Sequence, residues 1–385
     1  MTQAIDTQLI HAGEDHRIEG AIRMPIFQTA MFEHDDAPLR YVRYNNTPNQ
    51  KVLNRKLAIL EGAEEALVTG SGMAAISGAI LATLKPGEHL LAQNSLYGGT
   101  FKFVRTLLTD LGVKVSFFDA DAPNTWDELL QSNTRAIYVE SITNPLVQVC
   151  DLEKIVEFAQ ANKLTSLIDN TFATPFNYRA AEAGFDLSLH SATKYLNGHS
   201  DIVAGVIIGV GDHVRKAGKN LVHLGGALDP HACYLLHRGI QTFALRMRQH
   251  NATASALAKF LDSHDKVEHV YYPGLASHPQ HQRATRLFQG FSGMLSLELK
   301  GGLAATEKLI EQLQIPVFAP SLGGVESLMT RPAISSHAGL TPQEREIAGI
   351  RDFLLRISVG IEDAQDLITD FQSALIQIHN DHTSS

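Results

Sequence analysis

One lysine of this chain stands where its amine could act as a nucleophile. Lys194 follows the apolar segment LSLHSA and has Ser191 and Thr193 close by. A lysine at the end of a buried strand is partly desolvated, which lowers the pKa of its amine and frees it for Schiff-base chemistry. The two hydroxyl groups could bind a phosphate. The alternative is an ordinary lysine in a loop, and this segment alone leaves both interpretations open.

Two earlier segments favour the nucleophile. Asp169, in LIDNTFATP, ends an apolar strand 25 residues before Lys194. A carboxylate buried there needs a cationic partner, and a protonated pyridine nitrogen would serve, although such an aspartate can also cap a turn. In GSGMAAISG (70–78), the amides of Gly72 and Met73 would face a phosphate at a helix N-terminus. Together, these parts predict pyridoxal 5′-phosphate (PLP) bound as a Schiff base on Lys194, with Asp169 keeping its ring an electron sink.

Two further side chains could take part in the same chemistry. Tyr97, in SLYGGT, follows the apolar segment HLLAQ and could stack on the cofactor ring with its hydroxyl near the reacting carbons. A packed tyrosine with a bonded hydroxyl is the alternative. Arg356 lies inside the apolar run FLLRISVG. A buried guanidinium needs an anion, and either a substrate carboxylate or a structural acid would satisfy it.

Metal and disulfide chemistry are not expected. The chain has 18 histidines, and HPQH (278–281) and HNDH (379–382) have short spacings. Both lie in turn-like or terminal sequence without cysteine or carboxylate support, so we predict no metal site. Neither Cys150 nor Cys233 is flanked by a constellation of basic or histidine residues. We expect both thiols to be reduced and packed in the interior.

The composition is that of a folded protein with an acidic surface. Of 385 residues, 44% are hydrophobic and 19% are charged, so a large core can form. The formal net charge of −9 disfavours nucleic acid as a partner. The chain has neither a signal-peptide pattern nor a run of the roughly 18 apolar residues that a spanning helix needs. We therefore expect a cytoplasmic protein that binds a small molecule, with no nucleic-acid or membrane partner.

Strand-like and helical segments alternate through the first two thirds of the chain. Strands are predicted over 89–93, 114–118, 135–141, 165–170, 187–192 and 202–209, helices over 52–60, 100–112, 125–132 and 152–162, and a strand, turn and helix over 67–84. Near-continuous apolar strands that alternate with helices predict an α/β fold with a mainly parallel sheet covered on both faces. Ligands of such sheets bind at the carboxyl ends of the strands.

The pattern divides the chain into three parts. Residues 1–50 are irregular and are typical of an arm that wraps either this chain's own body or a neighbouring subunit. Residues 51–245 form the predicted PLP-binding domain. Residues 246–385 form a smaller C-terminal α/β domain, with helical segments at 245–263 and 303–313, apolar segments at 294–300 and 353–360, and a terminal HNDHTSS that we expect to fray.

The chain resembles the cysteine/methionine-metabolism family of PLP enzymes over nearly its whole length. That family includes cystathionine γ-synthase, γ-lyase and β-lyase, and methionine γ-lyase. The matching motifs, in family order, are LIHAG, YVRYNN (41–46), GSGMAA, LYGGT, ESITNP (140–145), DNTFATP, SATKYLNGHSD, SLGGVESL (321–328) and LRISVGIED (355–363).

This resemblance implies an aspartate-aminotransferase fold (fold type I), assembled as a homotetramer that is a dimer of dimers. It implies that Lys194 carries PLP, Asp169 pairs with the ring nitrogen, Tyr97 stacks on the ring, and Ser191, Thr193, Gly72 and Met73 hold the phosphate. Tyr41 and Arg43 would reach the phosphate in the neighbouring subunit, Asn144 would lie near the ring oxygen, and Arg356 with Ser321 would bind the substrate carboxylate.

The chain also departs from the family's motifs. Ile142 replaces the first proline of ESPTNP, NNTPN replaces the usual GNPT after the Tyr-x-Arg pair, and Pro320 stands where many γ-synthases and γ-lyases have a glutamate before SLGG. The last position is tied to the preference between β- and γ-chemistry, so the resemblance leaves the subfamily open.

Our expectation is a transsulfuration lyase that cleaves a carbon–sulfur bond of cystathionine, with γ-cleavage ahead of β-cleavage. The alternatives are cystathionine γ-synthase, which joins an O-activated homoserine to cysteine, and methionine γ-lyase. A catalytically idle PLP-fold binding protein would have no need for Lys194, Asp169, Tyr97 and Arg356 together. A cofactor-free Schiff-base aldolase would have no use for the phosphate-binding turn.

Overall fold

The computed structural model describes residues 4–14, 17–34 and 39–378, and these divide into two compact units. The first unit contains the residues up to Ser141 together with Cys150–Ala244, and the second contains Ile142–Val149 together with the chain from Leu245 onward. The HNDH segment and the tail that we expect to fray lie outside the described residues. Within the described ranges, no helix is both long and apolar enough to cross a bilayer.

In the described part of the first unit, a seven-stranded sheet has the order β1-β7-β6-β5-β4-β2-β3. Its strands are β1 (Glu65–Thr69), β2 (His89–Gln93), β3 (Lys114–Phe118), β4 (Thr134–Glu140), β5 (Thr165–Asp169), β6 (Leu187–His190) and β7 (Gly205–Gly209). Strands β2 to β6 run parallel to one another, whereas β7 is antiparallel to both β1 and β6. The predicted mainly parallel sheet is therefore confirmed.

Helices surround this sheet. They are α1 (Ile5–His11), α2 (Pro48–Glu61), α3 (Gly72–Thr83), α4 (Gly98–Arg105), α5 (Leu107–Asp110), α6 (Leu152–Ala161), α7 (Thr174–Asn177), α8 (Gly211–Leu224) and α9 (Pro230–Ile240). Their ends follow local sequence signals. Ser71 caps α3 by accepting a hydrogen bond from the Ala74 amide at 3.0 Å, and Gly62 ends α2 in the left-handed conformation.

The second unit contains α10 (Phe243–Asp262), β8 (Val267–Tyr271), α11 (His281–Leu287), β9 (Met294–Leu299), α12 (Gly302–Gln312), β10 (Val317–Phe318), β11 (Leu328–Thr330), α13 (Pro342–Ile347), β12 (Leu355–Ser358) and α14 (Ala364–Ile376). Its strands, over the residues described, form a five-stranded sheet in the order β10-β11-β12-β9-β8, antiparallel except between β10 and β11. Apolar side chains of β8, β9 and β12 pack with those of α10, α12 and α14 to form its core.

Two predicted helices are wrong in detail. The helix expected over 125–132 is instead a pair of short 3₁₀ turns at Pro123–Thr125 and Asp127–Leu129. Trp126 is buried between the rings of Phe118 and Phe158, and its indole N–H donates to the Asp119 carbonyl at 2.7 Å. This anchored side chain holds the segment against the sheet, and tertiary packing therefore overrides its weak helical pattern.

The other difference concerns the helix expected over 100–112, which breaks into α4 and α5. Thr106 joins the two with φ −116° and ψ −80°, and its hydroxyl donates to the Lys102 carbonyl at 2.7 Å. A threonine hydroxyl that bonds to the preceding turn competes with the helical main chain and bends it.

The strand expected over 202–209 begins only at Gly205, where two main chains approach closely. A Cβ atom added at Gly205 would lie 2.1 Å from the Ser71 carbonyl oxygen and 2.6 Å from Oγ1 of Thr69. These atoms belong to the last residue of β1 and to the turn that joins β1 to α3. A glycine at this position therefore allows that turn to lie against β7.

Replacement of this glycine should damage the fold. Gly205→Ala introduces a clash with main-chain atoms, and we expect it to lower the free energy of unfolding by roughly 3 kcal/mol. Gly218→Ala is the matched control, because its Cβ would meet Leu67 at an ordinary 3.5 Å inside α8. That change should be neutral or stabilising by up to about 1 kcal/mol. Urea unfolding of the cofactor-free proteins measures both, and equal stabilities would contradict the packing described.

Candidate active site

The carboxyl ends of the central parallel strands gather most of the predicted cofactor-binding residues of the first unit. Asp169 ends β5, and the turn containing Ser191, Thr193 and Lys194 follows β6 directly. The start of α3 lies against the same turn, because a Cβ added at Gly72 would come within 2.8 Å of the Ser191 Cβ. The structure therefore brings together the lysine, the carboxylate and the helix N-terminus that the sequence separates.

Asp169 is held by a residue that sequence reasoning missed. Its Oδ1 atom accepts hydrogen bonds from the main-chain N–H of Thr171 at 3.0 Å and from the Thr171 hydroxyl at 2.5 Å. Burial raises the pKa of Asp169 above its ordinary value, while these two bonds and the nearby His190 act in the opposite direction. A carboxylate stabilised in this way can pair with a cation brought by a ligand.

Thr171 also ties this carboxylate to the turn that carries Lys194. The Thr171 Oγ1 atom accepts a hydrogen bond from the main-chain N–H of Ser191 at 2.8 Å. The Lys194 N–H in turn donates to the Ser191 carbonyl at 3.1 Å. The relative positions of Asp169 and Lys194 are thus set by a short chain of hydrogen bonds through one threonine.

The hydroxyl of Thr193 has partners within the protein. It accepts from the Ala204 N–H at 3.0 Å and donates to the Ala204 carbonyl at 3.1 Å. These bonds anchor the turn to the segment that leads into β7. The predicted contact of Thr193 with a phosphate stays a prediction, and the hydroxyl that would make it also has this structural role.

Tyr97 lies just beyond β2, at the residue that precedes α4. Its side chain is 41% exposed, and its main-chain N–H donates to Oε1 of Glu140 at 2.5 Å. Gly99 leaves room for the ring, because a Cβ there would lie 2.5 Å from the Tyr97 Cε1 atom and 3.3 Å from the Met73 sulfur. The tyrosine ring is therefore close to the start of α3.

A buried polar cluster lies beneath these strand ends. Oε1 of Glu61, the last residue of α2, accepts from the Ser188 hydroxyl at 2.7 Å and lies 2.7 Å from Nε2 of His190 and 3.5 Å from Nδ2 of Asn170. The carboxylate is fully buried. Because a buried carboxylate is costly without donors, this cluster fixes the end of α2 against β6.

Tyr41 and Arg43 occupy a different part of the first unit. Arg43 donates from Nη1 to the Val222 carbonyl of α8 at 2.9 Å, and its guanidinium lies 5.5 Å from the centre of the Tyr41 ring. The single chain thus places Arg43 against α8, and its predicted reach to a neighbouring subunit stays a prediction.

The remaining three predicted residues meet in the second unit. Arg356 of β12 is 4% exposed, and it donates from Nη1 to Oδ1 of Asn144 at 3.1 Å and from Nη2 to the Ser321 carbonyl at 2.8 Å. Both acceptors are neutral oxygens, so these two bonds orient the guanidinium without neutralising its charge. Ser321 has φ of +95°, an uncommon conformation for a residue with a side chain, and this turns its carbonyl toward Arg356.

Metal and thiol chemistry find no support at these positions. Across the ranges that the structure covers, no group of three or more histidine, cysteine, aspartate or glutamate side chains is placed to hold a metal ion. The thiols of Cys150 and Cys233 are buried and form no disulfide. Burial raises the pKa of the Cys233 thiol well above its ordinary value, which opposes formation of a reactive thiolate.

The residues of the first unit fit PLP. The tight contact between Gly72 and Ser191 leaves the main-chain amides at the start of α3 beside the turn that carries Lys194. A phosphate suits such amides, a pyridinium suits the partly buried carboxylate of Asp169, and an aldehyde suits a lysine amine.

Comparison with known proteins agrees with this chemistry. The profile of the family described as Cys/Met metabolism PLP-dependent enzyme matches residues 6–376. An L-methionine γ-lyase of Fusobacterium nucleatum subsp. polymorphum is 39% identical, with 97% of this chain and 98% of the relative covered. A cystathionine β-lyase of Coxiella burnetii is 41% identical, with 96% and 97% covered.

The fold agrees as well. The crystal structure of a cystathionine γ-lyase from Lactobacillus plantarum, complexed with L-serine, superposes with a TM-score of 0.94 at 34% identity. The match covers 98% of this chain and 99% of that one. The names of these three proteins differ in the substrate and in the carbon at which it is cleaved. This chain therefore belongs to the Cys/Met metabolism family of PLP-dependent enzymes, whose members make or break carbon–sulfur bonds.

Proposed function

We propose that this enzyme cleaves cystathionine at the γ-carbon, consuming one water and releasing cysteine, 2-oxobutanoate and ammonia. The observation that carries the proposal is the meeting of Asp169, the Lys194 turn and the N-terminus of α3 at one edge of the sheet. We also propose that the enzyme is a cytoplasmic homotetramer, as the sequence resemblance implies.

PLP, when bound, withdraws electrons from the amino-acid substrate and so makes its α-proton acidic. Lys194 would hold the cofactor covalently until the substrate takes its place. Its freed Nζ would accept the α-proton, pass that proton on to the bound cofactor and, as a neutral amine again, accept the proton from Cβ that γ-cleavage requires. Asp169, as a carboxylate, would pair with the protonated ring nitrogen. The hydroxyl of Tyr97 donates a proton to the departing sulfur, so that cysteine leaves as a neutral thiol.

Two groups of residues are proposed to bind the rest of the cofactor and substrate. The amides of Gly72 and Met73, with Ser191 and Thr193, hold the phosphate, joined by Tyr41 and Arg43 of a neighbouring subunit, and Asn144 lies near the ring oxygen. Arg356 binds the substrate carboxylate through its two-pronged guanidinium, with Ser321 and Asn144 fixing the orientation of that group.

The comparisons bear on which C–S bond is cleaved. The likeness to a cystathionine γ-lyase structure favours γ-cleavage, while the 39% identity to a methionine γ-lyase makes methionine the second candidate substrate. Pro320 stands where many γ-synthases and γ-lyases have a glutamate, at a position tied to the preference between β- and γ-chemistry. β-Cleavage and γ-replacement use the same residues and are separated by their products.

Product analysis tests the proposal. Purified enzyme given cystathionine should yield cysteine and 2-oxobutanoate, identified by mass. Homocysteine with pyruvate would indicate β-cleavage, methanethiol from methionine would indicate a methionine γ-lyase, and cystathionine formed from O-activated homoserine and cysteine would indicate a synthase.

Lys194→Ala should abolish both covalent cofactor attachment and turnover, whereas Lys216→Ala, on the exposed face of α8, should change neither. Turnover by Lys194→Ala would contradict the mechanism.

The support that Thr171 gives Asp169 should appear as a pH dependence. Thr171→Val removes the hydroxyl that donates to the carboxylate, so the pKa of Asp169 should rise further above its ordinary value. As the solution is acidified, the variant's Asp169 therefore takes up a proton at a higher pH than the parent's. The ionised form, which pairs with the ring nitrogen, is lost at that pH. At mildly acidic pH, the cofactor dissociation constant should rise by about tenfold or more. An absorbance titration from pH 5 to 8 measures this, with Thr83→Val of α3 as the control. Parallel curves for Thr171→Val and parent would contradict the role of Asp169.

Arg356 is tested by a substitution that keeps its charge. Arg356→Lys loses the planar fork, so KM for cystathionine should rise by roughly 10- to 100-fold while the absorbance of the bound cofactor is unchanged. Arg331→Lys, at an exposed ion pair with Glu307 in the same unit, should leave KM unaltered. A lower melting temperature with the parent KM would show that Arg356 has a structural role instead.

A further inference from the structure

Glu140 is a buried acid that the proposed mechanism does not use. It is the last residue of β4 and is 4% exposed. In the parallel pairing of β4 with β5, it stands directly opposite Asp169. Its main-chain position is therefore fixed relative to the carboxylate that we propose to hold the cofactor ring.

The side chain of Glu140 reaches from β4 to the segment that follows β2. Its Oε1 atom accepts a hydrogen bond from the main-chain N–H of Tyr97 at 2.5 Å. The main-chain N–H of Glu140 donates to a second partner, Oε1 of Gln93, the last residue of β2, at 3.0 Å. Gln93 is 2% exposed, so this second bond lies inside the protein, while the bond to Tyr97 is partly buried.

These bonds fix the main chain of Tyr97 while its side chain stays accessible. The Tyr97 carbonyl accepts from the Phe101 N–H at 2.9 Å, so both main-chain polar groups of the tyrosine are bonded. The ring occupies the space that Gly99 leaves beside Met73, yet the residue remains 41% exposed. An exposed ring on a fixed main chain is suited to meeting a ligand in one orientation.

A buried carboxylate is an unfavourable acceptor for this hydrogen bond unless a strong bond is required. Burial of an ionised acid costs free energy, and a neutral glutamine could also accept from an N–H. A charged acceptor makes a shorter and stronger bond, which holds the main chain more tightly. Glu140 also acts on the neighbouring Tyr138. The pKa of Tyr138 is raised first by burial, then by the charge of Asp169, and then by the charge of Glu140.

We propose that Glu140 is a positioning residue for Tyr97, and that it sets the location of the tyrosine hydroxyl for proton transfer to the leaving sulfur. The inference rests on the proposed role of Tyr97 and adds a residue that acts through it. A displacement of the reacting hydroxyl by even about 1 Å is enough to cost up to roughly 100-fold in rate.

Hydrogen–deuterium exchange tests the contact in the enzyme without cofactor. In Glu140→Ala, exchange at the Tyr97 amide should accelerate strongly, while in Glu140→Gln, whose neutral amide oxygen accepts a weaker bond, exchange should accelerate by a smaller factor. Asp186→Ala is the matched control, because the Asp186 carboxylate accepts from the Ser166 N–H at 2.8 Å in another part of the same sheet. That variant should leave Tyr97 exchange unchanged. Parent-like exchange in Glu140→Ala would overturn the proposal.

A double-mutant cycle in the holoenzyme then separates positioning from general stability. Glu140→Ala should lower kcat by about 10- to 100-fold in the parent but by less than about threefold in the Tyr97→Phe background. Glu140→Gln, which keeps a weaker acceptor, should give a kcat between those of Glu140→Ala and the parent. Equal losses in both backgrounds would mean that Glu140 only supports the fold, and would overturn the proposal. If Tyr97→Phe itself keeps the parent kcat, the proposed proton transfer fails, and the exchange experiment still decides whether Glu140 holds Tyr97.

Discussion

The partly buried carboxylate of Asp169 is the constraint around which the first unit is organised. An acid at the end of a central strand is unfavourable unless donors or cations surround it. Here Thr171 supplies two hydrogen bonds to one oxygen, and the same threonine hydroxyl accepts from the main chain of Ser191. The interactions that stabilise the acid therefore also fix the start of the Lys194 turn.

Close main-chain approach is the second requirement of this arrangement. Gly72 lies against Ser191, and Gly205 lies against the turn that precedes α3. Side chains at either position would separate the N-terminus of α3 from β6 and β7. A cofactor with a phosphate at one end and an aldehyde at the other needs both the helix amides and the lysine within its own length, so these glycines serve the chemistry by permitting contact.

Buried acids recur at the ends of neighbouring elements, and each has a different set of partners. Glu61 of α2 is bonded by side chains of β6, whereas Glu140 of β4 is bonded by the main chain of Tyr97. In the second unit, the buried guanidinium of Arg356 donates to two neutral oxygens, which fix its orientation. Each of these buried groups thus ties together elements that are distant in the sequence.

The sequence by itself determined the local parts: the apolar strands, the glycine turn before an alanine-rich helix, Lys194 and Asp169 at strand ends, and the cofactor that this order of residues favours. These signals are local because burial, helix capping and turn formation depend on neighbouring residues. The tertiary structure alone decided the partners of those residues. Thr171 reaches Ser191, Glu140 holds Tyr97, and Arg356 meets an asparagine 212 residues away. It also turned the Thr193 hydroxyl toward Ala204 and replaced a predicted helix around Trp126 with two short turns. Such contacts depend on strand order and register, which arise only when distant segments pack together.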